Sequence, residues 1–191
     1  KLEAWPSAVN GNLPIWNAAS NSKESFINAA EQGYHLMMNQ YPMSFESLKE
    51  KFTIYCDGWE NSGRKASDRK AMVNFMTHIA TSEQQAINEA KGALQEHVGA
   101  FTKLLKGHQW DKNYESDVSV LLNMSENNDL EDVFRQRTLI CSPLQAVERL
   151  LKYIEIGFTE IAFMPRFGSL THEQNLATMN LLNEEVIPQL K

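Results

Sequence analysis

Residues 13–26 read Leu-Pro-Ile-Trp-Asn-Ala-Ala-Ser-Asn-Ser-Lys-Glu-Ser-Phe. The first half is short, apolar and partly aromatic, with a glycine before it and Ser-Asn-Ser after it, which predicts a buried strand. Ser22 then stands where a helix N-cap belongs, and Glu24 falls in the first turn, where its charge complements the helix dipole. Phe26, Ala29 and Ala30 give that helix an apolar side, and Gly33 supplies a stop. A strand that turns directly into a capped helix is one βα unit. The rest of the chain repeats it.

Residues 34–38 (Tyr-His-Leu-Met-Met) predict a second strand, followed by a helix over about 44–61 with Phe45, Leu48, Phe52, Tyr55 and Trp59 on one face. Gly63 ends it. Residues 71–80 predict a third strand, and Ser82-Glu83-Gln84-Gln85 has the form of a capping box. Its helix carries Ile87, Ala90, Leu94, Val98, Phe101 and Leu105 at steps of three and four. Residues 106–140 are irregular and read as an insertion of short helices. Ser142-Pro143-Leu144-Gln145 opens another helix, with Leu144, Val147, Leu151 and Ile154 as its expected buried stripe and Gly157 as its stop. Residues 161–164 predict a fourth strand, and Thr171 caps a last helix with Leu176, Met179, Leu182 and Val186 on one side.

Four strand–helix units with near-continuous apolar strands predict a parallel sheet covered by helices. Pattern alone suits either half of a (β/α)₈ barrel or a small doubly wound sheet. No G-x-G-x-x-G or Walker sequence follows a strand, so the usual nucleotide-binding argument for the open sheet is missing.

The 191 residues fit a single domain, 1–191, with 42% hydrophobic and 22% charged residues. A net charge of −6 without a basic cluster argues against a nucleic-acid partner. No apolar run reaches the roughly 20 residues needed to cross a bilayer, so no membrane partner is expected. Cys56 and Cys141 show neither metal nor redox spacing, and two reduced thiols suit a cytoplasmic protein. The start at Lys1 enters in mid-fold, as in a processed or excerpted chain.

Three blocks carry a family resemblance. The first runs from Pro14 through Ser20, then Ser22, Glu24, Ser25 and Phe26. The second joins Cys141-Ser142-Pro143, Gly157-Phe158-Thr159-Glu160 and Met164-Pro165-Arg166-Phe167-Gly168. The third is the tail from Thr171 through Pro188. In this order and spacing the chain resembles the bacterial luciferase-like flavin monooxygenases. The resemblance implies the C-terminal half of a (β/α)₈ TIM-type barrel, with the first four strands absent, since such barrels typically run to about 250 residues. It further implies an oxidoreductase using reduced FMN and O₂ on a small organic substrate, a separate flavin reductase that supplies the FMN, and a homodimer. The alternatives are a deazaflavin-dependent oxidoreductase of the same superfamily and a non-catalytic barrel subunit that stabilises a catalytic partner.

In such barrels the site lies at the C-terminal strand ends. The turn Ala19-Ser20-Asn21-Ser22, with Ser25 one turn in, offers free backbone N–H groups, a helix dipole and small donor side chains to the flavin phosphate. A simple N-cap with surface serines is the competing reading. Arg166 and Phe167 are expected at the same rim, toward substrate or cofactor, against the plainer reading of a surface-paired arginine. His78 and Asn74 share a strand face by alternation, and a histidine satisfied within the core is the simpler account of His78 and of His35. Met37-Met38 reads as packing. No zinc spacing, nucleophile elbow or paired carboxylate appears, so no metal is expected and no catalytic residue is named. That absence suits a cofactor that performs the chemistry while the protein binds and orients. With half a barrel's strand edges open, the isolated chain is expected to be less soluble than the complete protein. Light scattering and thermal melting check this, and a monodisperse, cooperatively melting monomer counts against the half-barrel.

Overall fold

A computed structural model describes residues 8–9, 13–20, 22–105 and 130–190. Asn21 and the 106–129 part of the insertion lie outside the described residues. Strand β1 (Trp16–Ala18) leads into helix α1 (Lys23–Gln32), and β2 (His35–Asn39) into α2 (Phe45–Asn61). Strand β3 (Ala71–Ile79) is followed by the long α3 (Glu83–Leu105). After a π-helical turn at Val133–Arg137 come β4 (Leu139–Cys141), α4 (Pro143–Glu155), β5 (Glu160–Met164) and α5 (His172–Leu181).

Among the described residues every strand pairing is parallel, in the order β1-β2-β3-β5, with β4 added to the end of β3. Bond direction alternates along β3. The carbonyls of Lys70 and Asn74 accept from Leu36 and Gln40, and the Ala80 N–H donates to Cys141, whereas the Ala71 carbonyl accepts from Thr159. Even-numbered residues therefore face β2 and then β4 along one edge, and odd-numbered residues face β5 along the other. The three residues of β4 fall where the sequence suggested an irregular insertion. Three apolar residues between a π turn and a helix cap carry too little periodicity to be seen.

The local signals hold at most helix ends. Ser22, Ser44, Ser142 and Thr171 each accept from the N–H three residues on, and Ser142–Gln145 and Thr171–Gln174 complete their capping boxes. At Ser82 only half the box forms. Gln85 donates its backbone N–H to Ser82, but its side chain bonds Thr81 and Glu89 instead. Gly33 closes α1 at φ 74, with the Tyr34 N–H reaching the Ala29 carbonyl.

Two core layers lie on opposite faces of the sheet. The outer face packs Leu36, Met38, Val73 and Phe75 against Phe26 of α1, Phe52 and Tyr55 of α2, and Leu150 of α4. Phe52 stacks on Phe158 with ring centroids 4.2 Å apart. The Tyr55 hydroxyl donates to the Tyr34 carbonyl and the Trp59 indole to the Lys65 carbonyl, so these aromatics bury their rings without stranding their polar ends. On the inner face, Met76 and Ile140 pack under Ala86, Ala90, Ala93 and Leu94 of α3. Helix α3 thus roofs the C-terminal end of β3.

Two helix faces differ from expectation. In α4, Leu144 and Leu151 are exposed, while Ala146, Val147, Leu150 and Tyr153 turn inward. The inward stripe is equally regular, and Tyr153 wins because its ring meets Phe45 and Phe75 edge-on and its hydroxyl reaches the buried Gln40. In α5, Leu176 and Met179 are exposed and Asn175 and Thr178 are buried. Thr178 accepts from the Ile79 N–H at 3.2 Å, satisfying a strand-end donor that an apolar side chain cannot. Leu182 and Val186 are buried as expected.

The loop after β5 meets α3 closely. At Gly168 (φ 50) an added Cβ lies 2.1 Å from the Ala93 carbonyl oxygen, backbone against backbone. Gly168→Ala is expected to cost about 3 kcal/mol in denaturant unfolding. Gly63→Ala, at φ 79 with open space around it, is expected to cost only the left-handed strain of about 1 kcal/mol. Equal losses in the two variants would show that the contact with Ala93 does not constrain the loop.

Candidate functional site

The C-terminal strand ends collect the polar groups with chemical potential. Ala19 is buried and its N–H donates to the Met37 carbonyl at 3.1 Å, which holds the start of the β1 turn against β2. Ser20 is exposed. The Ser22 hydroxyl accepts from the Ser25 N–H at 3.4 Å and donates to the Glu24 carboxylate at 2.8 Å. Glu24 is held below 4.5 by a hydrogen bond from its own backbone N–H and then by Ser22. One anion therefore already stands at this helix N-terminus. Asn17 donates to the Ser25 carbonyl at 3.5 Å, which ties the first turn of α1 back to β1.

The structure gathers Ser20, Ser22 and Ser25 in one turn, with Asn21 outside the described residues. It does not bring Arg166 and Phe167 to them. Those residues follow β5, three strand positions from β1, or about 14 Å across the sheet. Arg166 is exposed. Phe167 is 4% exposed and packs with Leu170 beneath α3, so it anchors the loop rather than walling an open rim. Burial overrides the rim position because the loop must cover the apolar underside of α3.

His78 is buried. Its Nε2 lies 2.8 Å from the Glu89 carboxylate and its Nδ1 3.1 Å from the Thr178 hydroxyl. Burial raises the Glu89 carboxyl, but the hydrogen bonds from Gln85 and His78 outweigh it and leave the group below 4.5. This is the satisfied core histidine, joining β3, α3 and α5. His35 lies between Trp16, edge-on at 5.1 Å, and Trp59, stacked at 6.3 Å, and its Nδ1 accepts from the Lys70 N–H at 3.4 Å. Asn74 donates to Asn39 across the β2–β3 ladder at 3.0 Å. Asn39 was not singled out from sequence, although Met37-Met38-Asn39 and Met72-Val73-Asn74 repeat the same Met-x-Asn pattern.

A cleft of about 370 Å³ lies on the outer side, between the α2 N-terminus and α4, with Arg135, Arg149 and Lys152 at its wall. Arg149 is committed to the Phe134 and Thr138 carbonyls and Glu83, and Arg135 to Glu131, so the cleft's guanidinium charge is structural. Burial pushes the Cys56 thiol up to about 11 and the Cys141 thiol up to about 12, which removes both as nucleophiles at neutral pH. Among the described residues no cluster of ligands suits a metal ion, and no helix is long and apolar enough to cross a membrane.

The model of the luciferase-like monooxygenase family matches residues 1–160. The chain belongs to the luciferase-like monooxygenase family. No curated protein matches the sequence. Solved structures do, at low identity. The monooxygenase RslO1 from Streptomyces bottropensis is 16% identical with a TM-score of 0.67, over 95% of this chain and 49% of its own. The oxygenating constituent of 3,6-diketocamphane monooxygenase from Pseudomonas putida, solved with FMN, is 16% identical with a TM-score of 0.65, over 95% and 50%. The coenzyme F420-dependent tetrahydromethanopterin reductase from Methanopyrus kandleri is 16% identical with a TM-score of 0.64, over 94% and 51%. The chain thus spans about half the length of these luciferase-like barrels, and the parallel sheet with alternating helices is that part of their fold.

His35 and His97 both sit below their ordinary value of 6.5, each chiefly through burial and His35 also through Lys70. The unfolded chain accepts protons that the fold refuses, so their contribution is complete above about pH 6.5 and shrinks as pH falls toward the folded values. The melting temperature is expected to drop between pH 7.5 and 5.5, and less so in a His35→Gln, His97→Gln double variant. A flat profile across that window removes both groups from the pH response.

Proposed function

We propose that this chain forms the cofactor-holding C-terminal half-barrel of an oxidoreductase that uses reduced FMN and O₂ on a small organic substrate. A separate reductase supplies the FMN and the enzyme works as a homodimer. The observation that carries the reading is the Ser22-capped start of α1 at the C-terminal end of β1, in a chain of this family. The helix dipole favours a phosphate there, and the Glu24 and Ser25 N–H groups, now bonded to the Glu24 carboxylate and to Ser22, are the donors that would turn to it. The hydroxyl of Ser25 makes no hydrogen bond among the described residues and remains available as a donor.

Bound FMN supplies the redox chemistry that no side chain of this half-barrel offers. The chain's own part is to bind and orient. Ser20, Ser22 and Ser25 take the phosphate end. Helix α3 keeps bulk water from the C-terminal end of β3, where Met76 and His78 are buried. The bond from Ser22 to Glu24 sets a condition: a dianionic phosphate must displace that carboxylate or share the turn with it. Arg166, exposed after β5, stands available to an anionic substrate group.

A deazaflavin cofactor is the second reading, favoured by the likeness to proteins named for coenzyme F420. Anaerobic titration of the full-length protein with reduced FMN and with reduced F420 separates the two. FMN is expected to bind the parent, with Ser25→Asp weakening it by about tenfold or more through like charge at the helix start. Glu24→Gln is expected to tighten it several-fold, an effect opposite in sign. If F420 binds and FMN does not, the deazaflavin reading replaces this one. If neither binds, the cofactor reading is wrong.

A further inference from the structure

The outer wall carries a cavity that neither the sheet pairing nor the phosphate turn uses. It is the cleft of about 370 Å³ between the start of α2 and α4, a volume within the range of about 300–1,000 Å³ in which proteins hold small molecules. Both flanking helices belong to this chain, so the cleft does not arise from the strand edges at which the sheet ends. It lies where the partner of β3 changes. Strand β2 pairs with β3 as far as Asn74, and β4 begins opposite Thr77. Buried Gln40 fills the interval. Its backbone N–H donates to the Asn74 carbonyl at 2.9 Å, and its side-chain amide donates to the Met43 carbonyl at 2.6 Å and the Gln136 carbonyl at 3.3 Å.

Three rings form the floor of the cleft: the buried Phe75 and Tyr153 and the half-buried Phe45. Tyr153 meets Phe45 and Phe75 edge-on, with centroids 5.0 and 4.9 Å apart, and its hydroxyl donates to the side-chain oxygen of Gln40. The floor is therefore apolar and fixed from behind. At the wall, Arg135 and Arg149 are already bonded within the fold. Lys152 differs. It is exposed at the cleft and makes no ion pair or hydrogen bond among the described residues. Glu46, on the facing helix, is the acid at the cleft. A flat ring suits the floor, because it continues the edge-to-face packing. One anionic group suits Lys152 through a charge-assisted hydrogen bond. A second anionic group meets Glu46, and like charges in a confined cleft repel.

We propose that this cleft binds a small aromatic monocarboxylate, with its ring on Phe45, Phe75 and Tyr153 and its carboxylate on the Lys152 ammonium. None of the residues lining the cleft belongs to the Ser22 turn, so the site stands or falls independently of the flavin reading. Through Tyr153 and Gln40 the bound ring is linked to the loop that leads from β2 into α2. A ligand held there raises the stability of the folded chain, as any ligand of the native state does.

The test titrates benzoate into the full-length protein by calorimetry, with benzyl alcohol and acetate as controls for charge and for the ring. Benzoate is expected to bind once per chain and to raise the melting temperature, and each control to bind about tenfold more weakly. Lys152→Gln is expected to weaken benzoate by about tenfold and to leave benzyl alcohol unchanged. Because Lys152 is exposed, the melting temperature of the free variant is expected to match the parent's. Phe45→Ala is expected to weaken benzoate and benzyl alcohol alike. Terephthalate, a dianion, is expected to bind more weakly than benzoate, and Glu46→Gln to narrow that gap. If benzoate shows no saturable binding, or binds Lys152→Gln as it binds the parent, the proposal is overturned. Displacement of benzoate by reduced FMN also overturns it, since the ring then occupies the cofactor site. A parent that binds benzoate in this pattern and binds no flavin supports the cleft and removes the flavin reading.

Discussion

Strand β3 is the constraint on which the rest depends. Its nine residues pair with β2 and then β4 along one edge and with β5 along the other, so three strands take their register from it. Its outer-face residues enter one core layer and its inner-face residue Met76 enters the other. Apart from the half-buried Met72 and Asn74 the strand is buried on both faces, which is why it reads as a nearly unbroken apolar run. The same demand explains the polar groups admitted near its end. Past β5, the Ile79 N–H needs an acceptor, Thr178 supplies it, and His78 completes the chain to Glu89. These bonds let α3 and α5 close on the strand end without leaving a buried donor unmet.

That demand also separates what was legible in the sequence from what was not. Strands and helix ends are local events, and Ser22, Gly33, Ser142 and Thr171 announce them within three or four residues. Helix faces are settled by what the helix meets. On α4 two regular stripes compete, and the winner includes Tyr153 because Gln40 waits for its hydroxyl from 113 positions earlier in the chain. On α5, polar Asn175 and Thr178 displace Leu176 and Met179 for a reason that resides in β3. Hydrophobic spacing holds no record of a buried donor on another element.

The candidate site divides along the same line. The β1 turn was legible because cap, dipole and small polar residues lie within one segment. The bond from Ser22 to Glu24 was half legible: the acidic first turn was read as support for the helix, but it also sets a resident anion where a phosphate is proposed. Phe167 was misplaced because its loop position suggested the rim, whereas its ring is needed under α3. The Asn39–Asn74 pair is separated by 35 positions and exists only through register. Its trace was the repeated Met-x-Asn, a pattern that gains meaning once two strands are known to be neighbours.

On the proposed reading, placement of α3 decides how a ligand reaches the site. The helix closes the inner face at the end of β3 and pins the β5 loop through the approach of Gly168 to Ala93. Tyr41 from the loop after β2 meets His97 of the same helix with ring centroids 6.0 Å apart. Three strand ends are thus tied to one helix, and among the described residues the end of β1 is not. The Ser22 turn follows that untied strand. The turn proposed for the phosphate is therefore positioned by the Ala19–Met37 and Asn17–Ser25 bonds and the Ser22 cap, not by the helix that fixes its neighbours.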